Sequence, residues 1–266
     1  MKKTITMLAA MLVIAAHAQQ PTAGRGGRGG GGGFTQPEPI DFNDHEGWRS
    51  LFDGVTLNGW DGSPRVWRVE NGAIVGQSRP ENTAGTTYIV WEGGEPLNFE
   101  LKAEVKLEGE GTNSGIQYRS ARDTQPRTGP GAGNPEFLKW NLKGYQADID
   151  FANRYTGQLY EQGTPRGIIS WRGQIVRAEQ GKKMRLLSTL GDSDALKAFI
   201  KPGEWNQMHI IARGNTMIHM VNGHVMSIFI DDDPSMSASK GVIGLQIEGR
   251  GDLLKVSYRN LWLKTL

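Results

Sequence analysis

Phe99-Glu100-Leu101-Lys102-Ala103-Glu104-Val105-Lys106-Leu107-Glu108 places an apolar side chain at every odd position and a charged one at every even position. A period of two is what a strand shows when one face packs on a core and the other meets water. The opposite charges along the even face are expected to be simply solvated. Read outward from this strand, the chain keeps the same habit. Upstream, Trp67-Arg68-Val69 and Ala73-Ile74-Val75 flank Glu70-Asn71-Gly72, a hairpin turn signal, and Trp48 and Trp60 are expected as core anchors near earlier strands. Downstream, Ser114-Gly115-Ile116-Gln117-Tyr118-Arg119-Ser120 reads as a strand with Gln117 and Arg119 on one face, and 122–142 reads as a long irregular loop able to shape a cleft. A meander follows over 205–230, with turns at Gly214-Asn215 and Asn222-Gly223, and a final strand pair is expected at 241–248 and 253–263. Asp192 or Ser193 can cap one short helix running to Phe199, stopped by Pro202-Gly203. About a dozen short strands at such spacing predict an all-β chain, a two-sheet antiparallel β-sandwich with one short helix, over residues 40–266.

The remainder of the chain is of another kind. Lys2 and Lys3, an apolar run over 5–16 and Ala16-His17-Ala18 form the charge, core and cleavage pattern of a secretory signal over residues 1–18. Residues 19–39, centred on Gly24-Arg25-Gly26-Gly27-Arg28 and five further glycines, have no hydrophobic periodicity and are expected to be a flexible Gly/Arg-rich linker. Export to a periplasm or the medium is therefore expected, without a transmembrane segment, because the apolar run is too short to span a bilayer. The formal charge of +2 owes itself to Lys2, Lys3, Arg25 and Arg28, so the folded part is near neutral. That argues against nucleic acid as a partner, since phosphate-backbone binding needs a broad basic surface. With no cysteine, disulfides, thiol nucleophiles and cysteine metal sites are all excluded.

Chemistry concentrates in one place. Tyr145-Gln146-Ala147-Asp148-Ile149-Asp150 alternates like a strand, yet its second face carries Gln146, Asp148 and Asp150, with Gln158 close by in sequence. The plain alternative is the wet side of an antiparallel sheet. No Gly-x-Ser-x-Gly elbow or serine–histidine–acid order is present, and the glycine tract lacks the ending of a phosphate loop. His45, His209, His219 and His224 are scattered, so His209 and His219 read as strand residues rather than ligands; Asp231-Asp232-Asp233-Pro234 reads as an acidic turn with calcium as its rival. What remains is a polar set, Arg119, Gln146, Asp148, Tyr160, Glu161, Arg166 and Gln246, with Trp91, Trp140 and Trp171 available as ring platforms. Carboxylates for proton transfer, amides for hydroxyls and aromatic faces for rings suit a sugar. For Arg119 a salt bridge to a neighbouring strand is the structural alternative.

Trp-Arg-x-Leu-Phe-Asp-Gly-x-x-Leu-x-Gly-Trp at 48–60, Ser-Gly-Ile-x-Tyr-Arg at 114–119, Gly-Tyr-Gln-x-Asp at 144–148, Thr-Gly-x-Leu-Tyr-Glu at 156–161, Arg166-Gly167, Gly203-Glu204-Trp205-Asn206, Asn222-Gly223 and Leu245-Gln246 occur in this order. Together they resemble the 3-keto-disaccharide hydrolase family. The resemblance implies a concanavalin A-like β-sandwich in an exported protein that acts on glycosides already oxidised to a ketone at C3. It implies removal of the C2 proton, departure of the C1 substituent and addition of water. On that basis Asp148 or Glu161 is expected as the proton-transfer group and Tyr160 as an acid or ring contact. Arg119 and Gln146 are expected as clamps or enolate stabilisers, with Arg166, Gln246 and Trp140 as further substrate contacts. A divalent metal on a carboxylate cluster around Asp148 is the candidate cofactor. Members of the family commonly read Leu-Gln-x-His-x-Gly where this chain has Leu245-Gln246-Ile247-Glu248-Gly249, which makes Glu248 a further catalytic candidate. The rival readings are a noncatalytic lectin-like module on the same fold and a two-carboxylate glycosidase. The second is disfavoured because no Glu-x-Asp-x-x-Glu strand is present.

Overall fold

The computed structural model describes residues 37–126, 134–249 and 253–266. The expected signal segment and nearly all of the expected linker lie outside the described residues, as does the middle of the 122–142 loop. The unit from Ile40 to Leu266 is built on two sheets. The larger has the order β12 (Arg185–Thr189), β11 (Gln174–Glu179), β15 (His224–Asp232), β14 (Thr216–Val221), β13 (Asn206–Arg213), β6 (Phe99–Glu108), β17 (Leu254–Thr265), β4 (Ala73–Ser78), β3 (Trp67–Glu70). A two-residue strand, β1 (Arg49–Ser50), also pairs with β17. The smaller runs β10 (Gly167–Ser170), β9 (Leu159–Gln162), β8 (Leu142–Asp150), β7 (Asn113–Arg122), β16 (Val242–Gly249), β5 (Gly85–Trp91), β2 (Trp60–Gly62). All pairs are antiparallel except β11 with β15, which is parallel. The two strands expected as a closing pair, β16 and β17, belong to opposite sheets.

The founding strand is β6, at the middle of the larger sheet. Phe99, Leu101, Ala103, Val105 and Leu107 all face the core, and burial of the larger of them stabilises by about 1.5–3 kcal/mol each. Its even face is only partly wet. Lys102 is buried beneath the segment 41–48, where its Nζ donates to the carbonyls of Asp41, Phe42 and Asp44 at 3.2, 3.0 and 2.9 Å and sits 4.5 Å from the Trp48 ring. An ammonium with three carbonyl acceptors and an indole face is a latch for the incoming chain.

The hairpin signals become the turns that their residues require. Asn71 and Gly72 have φ of 51° and 73°, and Asn222 and Gly223 have φ of 49° and 79°. Two consecutive positive φ values make the tight turn whose twist matches the strands, and Asn-Gly tolerates them best. The expected helix is α1 (Ser193–Lys197), with the Asp192 carboxylate accepting the N–H groups of Asp194 and Ala195. A 3-10 helix, Pro135–Trp140, occupies part of what the sequence suggested was irregular loop.

One core fills the space between the sheets. From the smaller sheet come Ile89, Ile116, Tyr118, Tyr145, Ala147, Leu245 and Ile247, and from the larger Phe99, Met208, Ile210, Phe229 and Tyr258. Strand parity then sends the alternate residues of β8, β7 and β16 to the outer face of the smaller sheet, and that face carries the site.

Candidate functional site

Cross-strand register assembles the outer face in rows. In one row Gly244, Gln117, Gln146, Tyr160 and Ile168 stand side by side across β16, β7, β8, β9 and β10. In the next, Tyr88, Gln246, Gly115 and Asp148 align, and in a third, Thr86, Glu248, Asn113 and Asp150. Gly115 leaves a gap between Gln246 and Asp148, and the Gln146 amide fills it. A Cβ at Gly115 would lie 2.5 Å from Gln146 Nε2. From that position Gln146 Nε2 donates to Asp148 Oδ1 at 2.6 Å and to Gln246 Oε1 at 2.9 Å, while its Oε1 accepts from Gln117 Nε2 at 2.8 Å. Gln246 Nε2 in turn donates to the Tyr88 hydroxyl at 3.1 Å. A connected run of amides holds each member's orientation.

Asp148 is the centre of this network. Its other oxygen accepts from Gln158 Nε2 at 2.6 Å, and only 5% of the residue is exposed. Burial pushes its carboxyl up to about 7; the amide hydrogen bonds from Gln158 and Gln146 oppose the rise, and the charges of Asp150 and Glu248 add to it. A carboxylate that changes charge near neutrality can both take and return a proton. Asp148 lies on a cavity of about 250 Å³, whose wall also includes Asn113, Gln146, Tyr155, Gln158, Tyr160, Gln162, Ile168, Gln246 and Glu248.

Of the residues singled out from sequence, Gln146, Asp148, Tyr160, Gln246 and Glu248 meet at this cavity. Glu161, Arg166, Arg119 and Trp140 are placed elsewhere. Glu161 follows Tyr160 in β9 and pairs in register with Tyr145, so it points between the sheets. There Arg166 Nε and Nη2 donate to its two oxygens at 2.6 and 2.8 Å, and Arg166 Nη1 and Nη2 donate to Asp231 at 3.0 and 2.8 Å. Tyr145 donates to the same aspartate at 2.5 Å. This buried Glu161–Arg166–Asp231 group ties the β9–β10 hairpin to β15 and accounts for all three charges without substrate.

Arg119 leaves the outer face because the strand bulges at it. Its φ is 47° and the register with β8 shifts between Tyr118 and Ala121. Its guanidinium donates to the carbonyls of Leu97 and Gly214, at 2.6 and 2.8 Å for the shortest bonds, rather than to a carboxylate of a neighbouring described strand. Trp140 donates from Nε1 to Asp61 at 2.8 Å at the end of the 3-10 helix. Trp91 is core. Asp150 accepts the N–H groups of Arg154, Tyr155 and Thr156 at 3.0, 2.7 and 3.0 Å and so shapes the loop that delivers Tyr155.

Asn113, Tyr155, Gln162 and Ile168 were not singled out, although parity signals two of them: Gln162 is two residues from Tyr160, and Asn113 lies two before Gly115 and four before Gln117. Among the described residues no group of three or more His, Asp or Glu side chains is arranged to hold a metal ion. Both oxygens of Asp148 already accept amide hydrogens. The residues around Asp148 therefore do not present a ready ligand set for a divalent metal. His219 is buried in the core, bonded to the Tyr118 hydroxyl at 2.8 Å and the Gln158 carbonyl at 3.1 Å, with burial lowering its ring to about 4.

A two-sheet sandwich with a carboxylate and amides converging on one cavity of the outer face gives the domain a concave polar pocket suited to a small ligand. Residues 47–264 match the family described as 3-keto-alpha-glucoside-1,2-lyase-like domain, and the chain belongs to that family. A 3-keto-disaccharide hydrolase of Bacteroides thetaiotaomicron is 35% identical over 86 residues, a match that spans 28% of this chain and 28% of that protein. A crystal structure of a candidate glycosyl hydrolase from Parabacteroides distasonis superposes with a TM-score of 0.50 at 20% identity, covering 83% of this chain and 94% of that one, which shows a shared fold. The carbohydrate-binding module CBM66 of Bacillus subtilis aligns over 82% of this chain and 96% of its own at 13% identity and a TM-score of 0.46. Among the described residues no helix is long and apolar enough to cross a membrane.

Proposed function

We propose that this protein is an exported enzyme that cleaves 3-keto-glycosides, with Asp148 as the proton-transfer group. The observation that carries the reading is a single buried carboxylate, raised to about 7, at the wall of a cavity otherwise rich in amides. The family description and the name of the Bacteroides relative support the substrate class. A ketone at C3 acidifies the hydrogen on C2. Asp148 takes that proton, and the C2–H electron pair becomes the C2=C3 bond of an enolate whose charge rests on the C3 oxygen. The enolate then collapses, re-forming the ketone and a C1=C2 bond as the C1–oxygen bond breaks and the leaving group departs. The departing oxygen takes the proton held by Asp148; Glu248 then accepts a proton from water as the water oxygen bonds to C1 and returns that proton to C2, which completes hydrolysis without a glycosyl-enzyme. Tyr160 and Gln246 supply polar contacts to the sugar, and Glu248 stands across the cavity as the second carboxyl for proton return. The secretory pattern at the N-terminus supports export.

The five carboxamides of the wall, Asn113, Gln146, Gln158, Gln162 and Gln246, favour one second reading, a noncatalytic sugar binder. Incubation with methyl 3-keto-glucoside in heavy water, followed by NMR with and without chelator, separates the two. The enzyme reading predicts deuterium at C2 and release of methanol. Binding of sugar with neither event would establish the binder, and loss of exchange on chelation would require a metal in the chemistry.

A further inference from the structure

Trp171 is 42% exposed, whereas Trp60, Trp67 and Trp91 are buried in the core. A large indole left in water beside a polar cavity calls for a reason. It occupies the turn between β10, which contributes Ile168 to the cavity, and β11. It is held there from several directions. The backbone N–H of Trp171 donates to Gln174 Oε1 at 3.1 Å, and the next residue, Arg172, is buried. Arg172 Nη1 donates to the carbonyls of Asn153 and Thr156 at 3.2 and 2.7 Å, and its Nε donates to the Ser193 carbonyl at 2.9 Å. One guanidinium thus fastens the Trp171 turn to both ends of the loop that carries Tyr155. As a result the Tyr155 and Trp171 rings stand 6.2 Å apart at an interplanar angle of 39°. Tyr155 faces the cavity, so Trp171 continues the aromatic surface out of it. The Arg154 guanidinium lies 5.0 Å from the Tyr155 ring and supplies donors at the same rim.

The cavity, at about 250 Å³, falls just below the roughly 300–1,000 Å³ of drug-sized ligand sites. It has room for one pyranose and leaves the other half of a glycoside outside. We propose that Trp171, with Tyr155, is the platform for that outer half: a leaving-group subsite selecting a ring with an apolar C–H or π face. The assignment rests on the 3-keto-glycoside reading above. Ring stacking against an indole on a backbone fixed by neighbouring bonds, with the Tyr155 ring beside it, incurs little ordering cost.

The test compares three 3-keto-glucosides whose C1 substituents are methyl, phenyl and a second glucose, in wild type, Trp171→Ala and Trp171→Phe. Melting curves confirm that the variants fold, as expected for an exposed position. Wild type is expected to prefer the ring-bearing substrates in kcat/KM. In Trp171→Ala that preference falls about tenfold or more, and Trp171→Phe restores part of it. A loss in Trp171→Ala confined to the phenyl compound assigns the platform to an aromatic substituent, and one confined to the glucosyl compound assigns it to a sugar. Wild-type turnover with no preference for a ring, or with a preference that survives in Trp171→Ala, overturns the subsite while leaving the proposed reaction standing. Absence of both turnover and calorimetric binding of all three compounds in wild type overturns the reaction and the subsite together.

Discussion

Asp148 differs from the other acid of its strand in what surrounds it. Asp150 spends its oxygens on three backbone N–H groups, whereas Asp148 faces a cavity and is bonded by two amides that cannot neutralise it. Its raised pKa fixes the sign of two pH effects. As a base it must be ionised, so turnover should climb as pH rises through about 7 and level off above it. Stability should run the other way. The folded state holds a proton that the unfolded carboxyl, near its ordinary value of about 3.9, has lost, so stability is fullest in acid and falls as pH rises toward and through 7. Asp148→Asn removes that penalty, on the order of 2–4 kcal/mol at pH 8. The variant is expected to melt above wild type at pH 8, with the gap closing near pH 4, while its turnover drops at least about a hundredfold. Loss of turnover without the pH-dependent gain in melting temperature would mean that the carboxyl is not desolvated. At Gly115 an added Cβ would strike Gln146. Gly115→Ala should accordingly lower kcat/KM roughly tenfold by displacing that amide from Asp148, and unchanged kinetics would show the amide run to be dispensable.

At the scale of elements, parity decided what the sequence disclosed. Alternation in β6 and β8 was plain, because the apolar residues recur every second position, and it brought Gln146 and Asp148 to one face. The same rule places Tyr160 and Glu161, neighbours in β9, on opposite faces, so a site containing both was never open to a regular strand. Arg119 was hidden for the opposite reason: a bulge breaks the alternation, and nothing in Tyr118-Arg119-Ser120 announces it. The partner of Arg166 was equally illegible, since Asp231 lies 65 residues away and only the packing of the sheets brings it near. Removing Arg166 leaves two buried carboxylates uncompensated, so Arg166→Leu is expected to cost about 3–5 kcal/mol in denaturant unfolding. Glu161→Gln should lower the melting temperature yet keep the pH midpoint of turnover. A shift of that midpoint would return Glu161 to the chemistry. The charged neighbours of Lys102 suggest a solvated side chain, and only the return of 41–48 over the sheet buries it.

For the molecule as a whole, turn chemistry and strand spacing made the sandwich legible, but not the assignment of strands to sheets. Strands β16 and β17 are consecutive, and the sequence reads as though they pair, yet one reaches β5 and β7 and the other β4 and β6. That division matters for function. It carries Gln246 and Glu248 to the centre of the smaller sheet, opposite Gly115 and Asn113, and so completes a cavity whose other wall was written a hundred residues earlier. If this cavity removes the C2 proton, Asp148 is the group that takes it. The most direct measurement is the pH dependence of deuterium incorporation at C2 of methyl 3-keto-glucoside in wild type and in Asp148→Asn. The rate is expected to rise with a midpoint near 7 in wild type and to be lost in the variant; exchange that persists in Asp148→Asn with the same midpoint would rule Asp148 out as the base.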